Sequence, residues 1–96
     1  MAYSISSYTF KQARSLGVTV KPSKVKGKKL DVYRGNTKVA SVGAIGYKDY
    51  PTYMELERKG KVPAGTAKMK RKAYKARHVH RNKRGTNAWY ADKLLW

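Results

Sequence analysis

The sequence predicts a small single α+β domain with a short N-terminal helix, a central β-hairpin, and then two to three short helices. Three observations support this class: a helical apolar pattern near the start, alternation around a Gly-Asn pair, and caps and breakers that divide the second half. The 96 residues suffice for one modest core. Because the chain has no internal repeat and no long linker, we interpret residues 1–96 as one domain.

The first helix is expected over residues 8–16, where apolar side chains recur at helical spacing. Ser6 or Ser7 would open this helix, and Gly17 stands at a C-cap position behind it. The following residues 18–20 alternate like a brief strand. They are therefore the candidate for a third short strand beside the hairpin.

The β-hairpin is predicted in the middle of the chain. Residues 30–33 and 38–42 alternate on either side of Gly35 and Asn36, two residue types that tolerate the positive φ of a tight turn. Residues 21–29, which precede the hairpin, carry five Lys and no acid, and Pro and Gly interrupt them. We interpret this segment as a basic loop.

A second helix is expected to start close to Pro51, a residue type favoured in the first helical turn. Asp49 or Tyr50 would end the preceding turn, and Gly60 would stop the helix after about Lys59.

A third helix is expected from Thr66, a plausible N-cap residue, to about His80. At helical spacing Met69, Ala73, Ala76 and His80 share a narrow apolar side, while Lys and Arg cover most of the remaining surface. This segment is therefore predicted to be a cationic helix held on a folded domain.

A last helix is expected over residues 88–96, with Asn87 as its N-cap. It contains the largest concentration of apolar side chains in the sequence. We expect it to dock onto the hairpin and close the core, with Trp89 and Trp96 inside that core.

Charge is the strongest functional signal. The chain has 23 Lys and Arg against 5 Asp and Glu, a formal net charge of +18, and residues 58–84 contain twelve basic residues without one acid. A solvated helix normally interleaves both signs, so this repulsion makes sense if a polyanion supplies the negative charge. Arg71 and Arg77 are the arginines that we expect to make forked phosphate contacts. The predicted nucleic-acid-binding residues are Lys21, Lys24, Lys26, Lys28, Lys29, Lys68, Lys70, Arg71, Lys72, Lys75, Arg77, His78, Arg81, Lys83 and Arg84.

Composition argues against several other classes of protein. With 41% hydrophobic and 11% aromatic residues, the chain is not composed like a disordered tail. The absence of Cys excludes a disulfide scaffold and a thiolate metal site, and fits a reducing compartment. No apolar stretch approaches the roughly 20 residues of a membrane span. We expect a soluble protein of intracellular origin that makes no membrane contact.

Catalysis and metal binding have weak support. His78 and His80 lie two residues apart and would point in different directions on a helix. Asp31, Asp49 and Glu55 each have a local structural role available, whereas metal-dependent nucleases need several converging acids. We therefore expect no enzymatic activity, no metal, no cofactor and no small-molecule substrate.

The tyrosines leave two interpretations open. Tyr47, Tyr50 and Tyr53 lie three residues apart, so they could form a stacking platform for single-stranded bases. The stronger interpretation is structural, since a small domain with one Phe must build its core from Tyr and Trp.

Motifs along nearly the whole chain resemble those of one family of small basic proteins. The most distinctive are Arg77-His78 and Leu94-Leu95-Trp96. Others are Tyr8-Thr9, Gln12-Ala13, Leu16-Gly17-Val18, Val20-Lys21-Pro22-Ser23, Lys28-Lys29-Leu30-Asp31-Val32-Tyr33, Val39-Ala40-Ser41-Val42-Gly43, Gly46-Tyr47, Asp49-Tyr50-Pro51, Arg71, Tyr74 and Tyr90-Ala91-Asp92. The family is encoded by large double-stranded DNA viruses of algae and other protists. The resemblance implies a viral setting but no established activity, so it assigns no functional residue.

The residues and the resemblance together predict a viral, sequence-independent double-stranded DNA-binding protein that neutralises phosphates during genome condensation or packaging. The expected location is the virion and the infected host cell, in the nucleus or a viral factory. Two alternatives stay open: a structural virion component that binds acidic capsid protein, and an RNA-binding or single-strand-binding protein. The sequence does not separate these partners, because a count of cations does not identify the polyanion.

Overall fold

The structure is a computed structural model that describes residues 4–78 and 82–96. In this part of the chain, helix α1 precedes a three-stranded antiparallel sheet with strand order β1-β2-β3, and three further helices follow. The elements are α1 (Ser7–Leu16), β1 (Thr19–Pro22), β2 (Lys28–Arg34), β3 (Thr37–Ala44), α2 (Tyr50–Arg58), α3 (Thr66–Arg77) and α4 (Asn87–Leu95). The predicted α+β class and the third strand are confirmed.

Both ends of α1 have the predicted caps. The Ser6 hydroxyl accepts a hydrogen bond from the Thr9 amide at 3.2 Å, and Gly17 adopts the left-handed conformation with φ 71°. Thr9 and Ala13 form the buried side of α1, because this side faces α4. The Thr9 hydroxyl donates to the main-chain oxygen of Leu94 at 2.9 Å and so ties the two helices together.

The hairpin is confirmed, and its strands are longer than predicted. Leu30 pairs with Val42 and Val32 with Ala40, and of the two turn residues Gly35 alone has a positive φ, 61°. The sheet extends into the predicted basic loop, because β1 pairs with β2 from Thr19 and Tyr33 to Pro22 and Leu30. The loop itself is therefore limited to residues 23–27, and Lys21, Lys28 and Lys29 belong to strands.

The core lies between one face of the sheet and the helices α1 and α4. Leu30, Val32 and Val42 of the sheet belong to the same buried cluster as Leu94 and Leu95 of α4. The predicted docking of the last helix onto the hairpin is thus confirmed. The two tryptophans, by contrast, lie at the edge of this cluster and are only partly buried.

Helix α2 has Pro51 in its first turn, as predicted, and of the two residues expected to end the preceding turn Asp49 is its N-cap. The Asp49 carboxylate accepts a hydrogen bond from the Thr52 amide at 3.0 Å.

The predicted N-cap of α4 was wrong by one residue. Thr86 is the N-cap, and its hydroxyl accepts from the Trp89 amide at 3.2 Å, so Asn87 is already helical.

Helix α3 differs from the prediction at both ends. Its N-cap is Gly65, because the Thr66 hydroxyl donates backwards to Pro63 and a carboxylate oxygen of Glu57 instead accepts from the Ala67 amide. The helix ends at Arg77. The predicted end near His80 lies outside the described residues.

The predicted apolar side of α3 was also wrong. Met69 is 61% exposed and Ala76 is exposed, whereas Ala67 and Tyr74 are buried. The reason is aromatic packing, since the Tyr74 ring stacks on the Trp96 ring with centroids 4.3 Å apart.

Among the described residues there is no helix with the length and apolar character of a membrane span.

Asp31 is buried on β2, and hydrogen bonds from three groups compensate its charge. Ser23 and Ser41 donate to one carboxylate oxygen at 2.6 and 2.7 Å, and the Lys24 amide donates to the other at 3.2 Å. Burial raises the pKa of Asp31, but these hydrogen bonds outweigh it and leave the pKa below its ordinary value of 3.8.

We predict that Asp31 stabilises the fold at neutral pH and loses this effect in acid. Because the folded-state pKa is lowered, the contribution is complete above the unfolded value of 3.8 and disappears as the pH falls through the folded value. Urea unfolding of wild type and Asp31→Asn should give a larger difference in free energy at pH 6 than below pH 3. An equal difference at both pH values would contradict this role.

Gly43 of β3 lies where a side chain has no room. Its φ is 81°, and an added Cβ would lie 2.8 Å from Leu95 Cδ1 and 3.0 Å from Lys29 Cδ. Gly46 has φ 96° but open space around it, so it provides a matched control.

We predict that Gly43→Ala costs more stability than Gly46→Ala. Left-handed backbone costs an L-residue about 1–2 kcal/mol, and the contacts at Gly43 add about 1–3 kcal/mol of overpacking. Urea unfolding of both variants measures the difference. Equal losses would show that the contact with Leu95 has no energetic weight.

Candidate nucleic-acid interface

Helix α3 presents cations on two opposite sides. Lys68, Arg71, Lys72 and Lys75 lie three or four residues apart and line one open groove, which we call the outer face of α3. Seven residues separate the first and last of them, about 10 Å along the axis at 1.5 Å per residue. Lys70 and Arg77 lie about half a turn away from this face and are also exposed.

Lys70 and Arg77 line a cleft of about 500 Å³, which we call the aromatic cleft. Lys28 at the start of β2 and Lys48 in the loop after β3 also line it. Its aromatic lining consists of Tyr47, Tyr53, Tyr74, His78 and Trp96. The cleft therefore combines cations and aromatic rings from distant parts of the sequence.

Three rings form a stack in the cleft. Tyr74 lies between His78, with centroids 3.9 Å apart and planes 20° apart, and Trp96, with planes 6° apart. Tyr53 lies tilted against Trp96 at 6.5 Å. Tyr47 is 75% exposed, whereas Tyr53 and Trp96 are half-buried and Tyr74 is buried.

All five carboxylates of the chain have internal partners. Asp49 pairs with Lys29 at 3.0 Å and Asp92 with Lys75 at 2.5 Å, and both acids are buried. Glu55 is exposed and pairs with Arg58 and Lys59, while Glu57 and Asp31 accept the hydrogen bonds described above. The acids are thus used within the fold, and most Lys and Arg side chains among the described residues have no carboxylate within 4.0 Å.

Most of the predicted binding residues are exposed. These are Lys21, Lys24, Lys26, Lys28, Lys68, Lys70, Arg71, Lys72, Arg77, His78, Lys83 and Arg84. The predicted residue Arg81 lies outside the described residues. Some exposed cations also have intramolecular contacts: Arg71 Nε donates to the main-chain oxygen of Trp96 at 2.6 Å, and Arg84 lies 5.8 Å from the Trp89 ring.

Lys29 is a correction to the predicted set. Its side chain is 6% exposed, because β2 turns it away from Leu30 and towards the loop before α2. There its ammonium group donates to Asp49 and to the main-chain oxygen of Tyr47. The side chain of Lys75 is 28% exposed and paired with Asp92, so it is less accessible than the other predicted residues of α3.

The structure brings the two predicted basic elements together. The Ile45 amide donates to the Gly27 oxygen at 2.9 Å, so the loop at residues 23–27 lies beside the loop after β3. Lys28, which follows that loop, shares the aromatic cleft with Lys70 and Arg77 of α3.

The sequence-based prediction omitted Lys48 and the role of Trp96 in the cleft. Lys48 is a single cation outside both basic runs, so no local pattern identifies it. The platform of three tyrosines, which was the weaker of the two interpretations, does not form as one surface. Tyr50 packs edge-on against Tyr8 at 5.5 Å and lies under Arg71, whereas Tyr47 and Tyr53 line the cleft.

Of the two histidines, His78 lies within the described residues. His78 stacks on Tyr74, and His80 lies outside the described residues. Within residues 4–78 and 82–96 there is no group of three or more His, Cys, Asp or Glu that could hold a metal ion.

Comparison of the chain with protein-family models, with curated proteins and with solved structures found no match.

We predict that Lys29→Met destabilises the protein strongly, whereas Lys28→Met does not. Removing Lys29 leaves the buried Asp49 carboxylate without its cation, a loss of roughly 3–5 kcal/mol for such pairs. Lys28 is exposed, so its substitution should stay within about 0.5 kcal/mol. Chemical denaturation measures both changes, and similar values for the two variants would contradict the structural role of Lys29.

Proposed function

We propose that this protein binds double-stranded DNA without sequence preference and neutralises its phosphates. The observation that carries the proposal is the distribution of charge: all five carboxylates have internal partners, while Lys68 and Lys72 on the outer face of α3 are exposed and have no carboxylate within 4.0 Å among the described residues. Such uncompensated charge favours a polyanionic partner.

A helix with cations along one side suits duplex DNA. An α-helix with its side chains is about 10–12 Å wide, close to the width of about 12 Å of the major groove of B-DNA. Lysine acts as a point charge on phosphate, so Lys68 and Lys72 would contribute affinity rather than sequence discrimination.

The proposed setting is a virion or an infected cell, with genome condensation or packaging as the role. This part of the proposal rests on the resemblance of the sequence to small basic proteins of large double-stranded DNA viruses. Fractionation of virions tests it, since a condensing protein should remain with the nucleoprotein core. Recovery with the shell would instead favour a structural component bound to acidic capsid protein.

We predict that Lys68→Gln/Lys72→Gln weakens binding to duplex DNA of any sequence. Each phosphate contact contributes about −0.9 to the slope of the log of the binding constant against the log of the salt concentration. Losing two contacts should therefore make this slope less negative by about 1.8. The matched control is Lys11→Gln/Arg14→Gln, which removes two exposed cations from α1 instead.

Fluorescence anisotropy with labelled duplexes of two unrelated sequences measures both slopes. The control variant should retain a slope closer to that of wild type. Two results would contradict the proposal: wild-type affinity that does not change between low and physiological salt, or equal losses in the two variants.

A further inference from the structure

We propose that the aromatic cleft binds one unpaired nucleotide, with its base stacked on the aromatic lining and its phosphate held by the surrounding cations. This inference rests on the proposed nucleic-acid binding, and it adds a second site on the opposite side of α3. Lys70 and Arg77 would serve this site, while Lys68 and Lys72 would serve the phosphates of a duplex.

The size of the cleft fits such a ligand. Its volume of about 500 Å³ lies within the range of about 300–1,000 Å³ that is common for small-molecule sites. Its walls come from β2, β3, α2, α3, α4 and the loop that contains Lys48.

The aromatic lining of the cleft favours a ligand with a flat base. The Tyr74 and Trp96 rings are nearly parallel, which holds both in defined orientations, and Tyr47 is 75% exposed beside them. Every nucleobase has a flat π face, so stacking on an exposed ring such as that of Tyr47 tolerates any sequence. A stacking site is therefore consistent with a protein that does not discriminate between sequences.

The cations of the lining favour a ligand that also carries a phosphate. The described residues that line the cleft include no Asp or Glu, and Lys28, Lys48, Lys70 and Arg77 have no carboxylate within 4.0 Å in that part of the chain. A cationic ligand is disfavoured by these four charges, and a phosphate is favoured. An acidic peptide would satisfy the cations, but it would leave the aromatic rings without a flat partner.

The base must be unpaired to enter. Bases inside a duplex are stacked on their neighbours, and a protein reaches their faces only in a single strand or after extrusion from the helix. A single-stranded tail, a bulge or a free nucleotide has the required chemistry. The experiment below separates the strand from the free nucleotide.

The test compares a blunt duplex with the same duplex carrying a short single-stranded tail, at one salt concentration. Wild type should bind the tailed duplex more tightly. Tyr47→Ala should reduce this advantage about 5- to 150-fold, the usual effect of losing one stacked base, and it should leave binding of the blunt duplex unchanged. Lys29 contacts the main-chain oxygen of Tyr47, which alanine retains, so the loop is expected to keep its position.

Phe10→Ala is the matched control, since Phe10 is a 47% exposed aromatic residue on α1 that does not line the cleft. It should preserve the advantage of the tail. Thermal unfolding of both variants checks that each remains folded. A tail that gives no advantage, or equal losses for blunt and tailed duplexes in Tyr47→Ala, would overturn the inference.

A nucleoside monophosphate is tested separately by tryptophan emission, with inorganic phosphate beside it. A saturable change with the nucleotide in wild type, absent in Tyr47→Ala, supports the same site with a free nucleotide as its source. An equal change with inorganic phosphate overturns the stacking. Failure of the proposed function has a different signature, because wild type would then bind the tail while showing no affinity for the blunt duplex.

Discussion

The buried ion pair between Lys29 and Asp49 holds the sheet against the second half of the chain. Lys29 comes from β2, and Asp49 is also the N-cap of α2, so one contact fixes the start of a helix against a strand. Lys29 also donates to the main-chain oxygen of Tyr47. The loop that presents Tyr47 and Lys48 at the aromatic cleft is therefore positioned by the same pair.

The shortage of acids explains why this contact has such weight. Five carboxylates serve a chain with 23 cations, and they cap helices, bridge α3 to α4 and compensate buried groups. Little negative charge is left for the surface, so Lys68 and Lys72 on the outer face of α3 have no carboxylate partner among the described residues, whereas Lys75 is paired with Asp92. A polyanion that binds this folded surface would also stabilise the fold by mass action.

The local elements could be predicted from the sequence, because turns, caps and alternation are short-range signals. Ser6, Gly17, Asp49 and the Gly35-Asn36 turn all lie where these signals placed them. The role of Lys29 could not be predicted, since its partner is 20 residues away and the neighbouring lysines are typical of a solvent-exposed loop. The aromatic cleft could not be predicted for the same reason: its lining residues Lys28, Lys48 and Arg77 meet only in the folded chain. The burial of Tyr74 likewise depends on stacking with Trp96, which comes from a later element.

The central claim is that the uncompensated surface meets nucleic acid phosphate. The most direct measurement is the affinity of wild type for duplex DNA, single-stranded DNA and RNA of matched length, at low and physiological salt. We expect tightest binding to the duplex, with affinity for all three falling steeply as salt rises. Affinity that is absent at low salt, or that does not change with salt, would contradict the account.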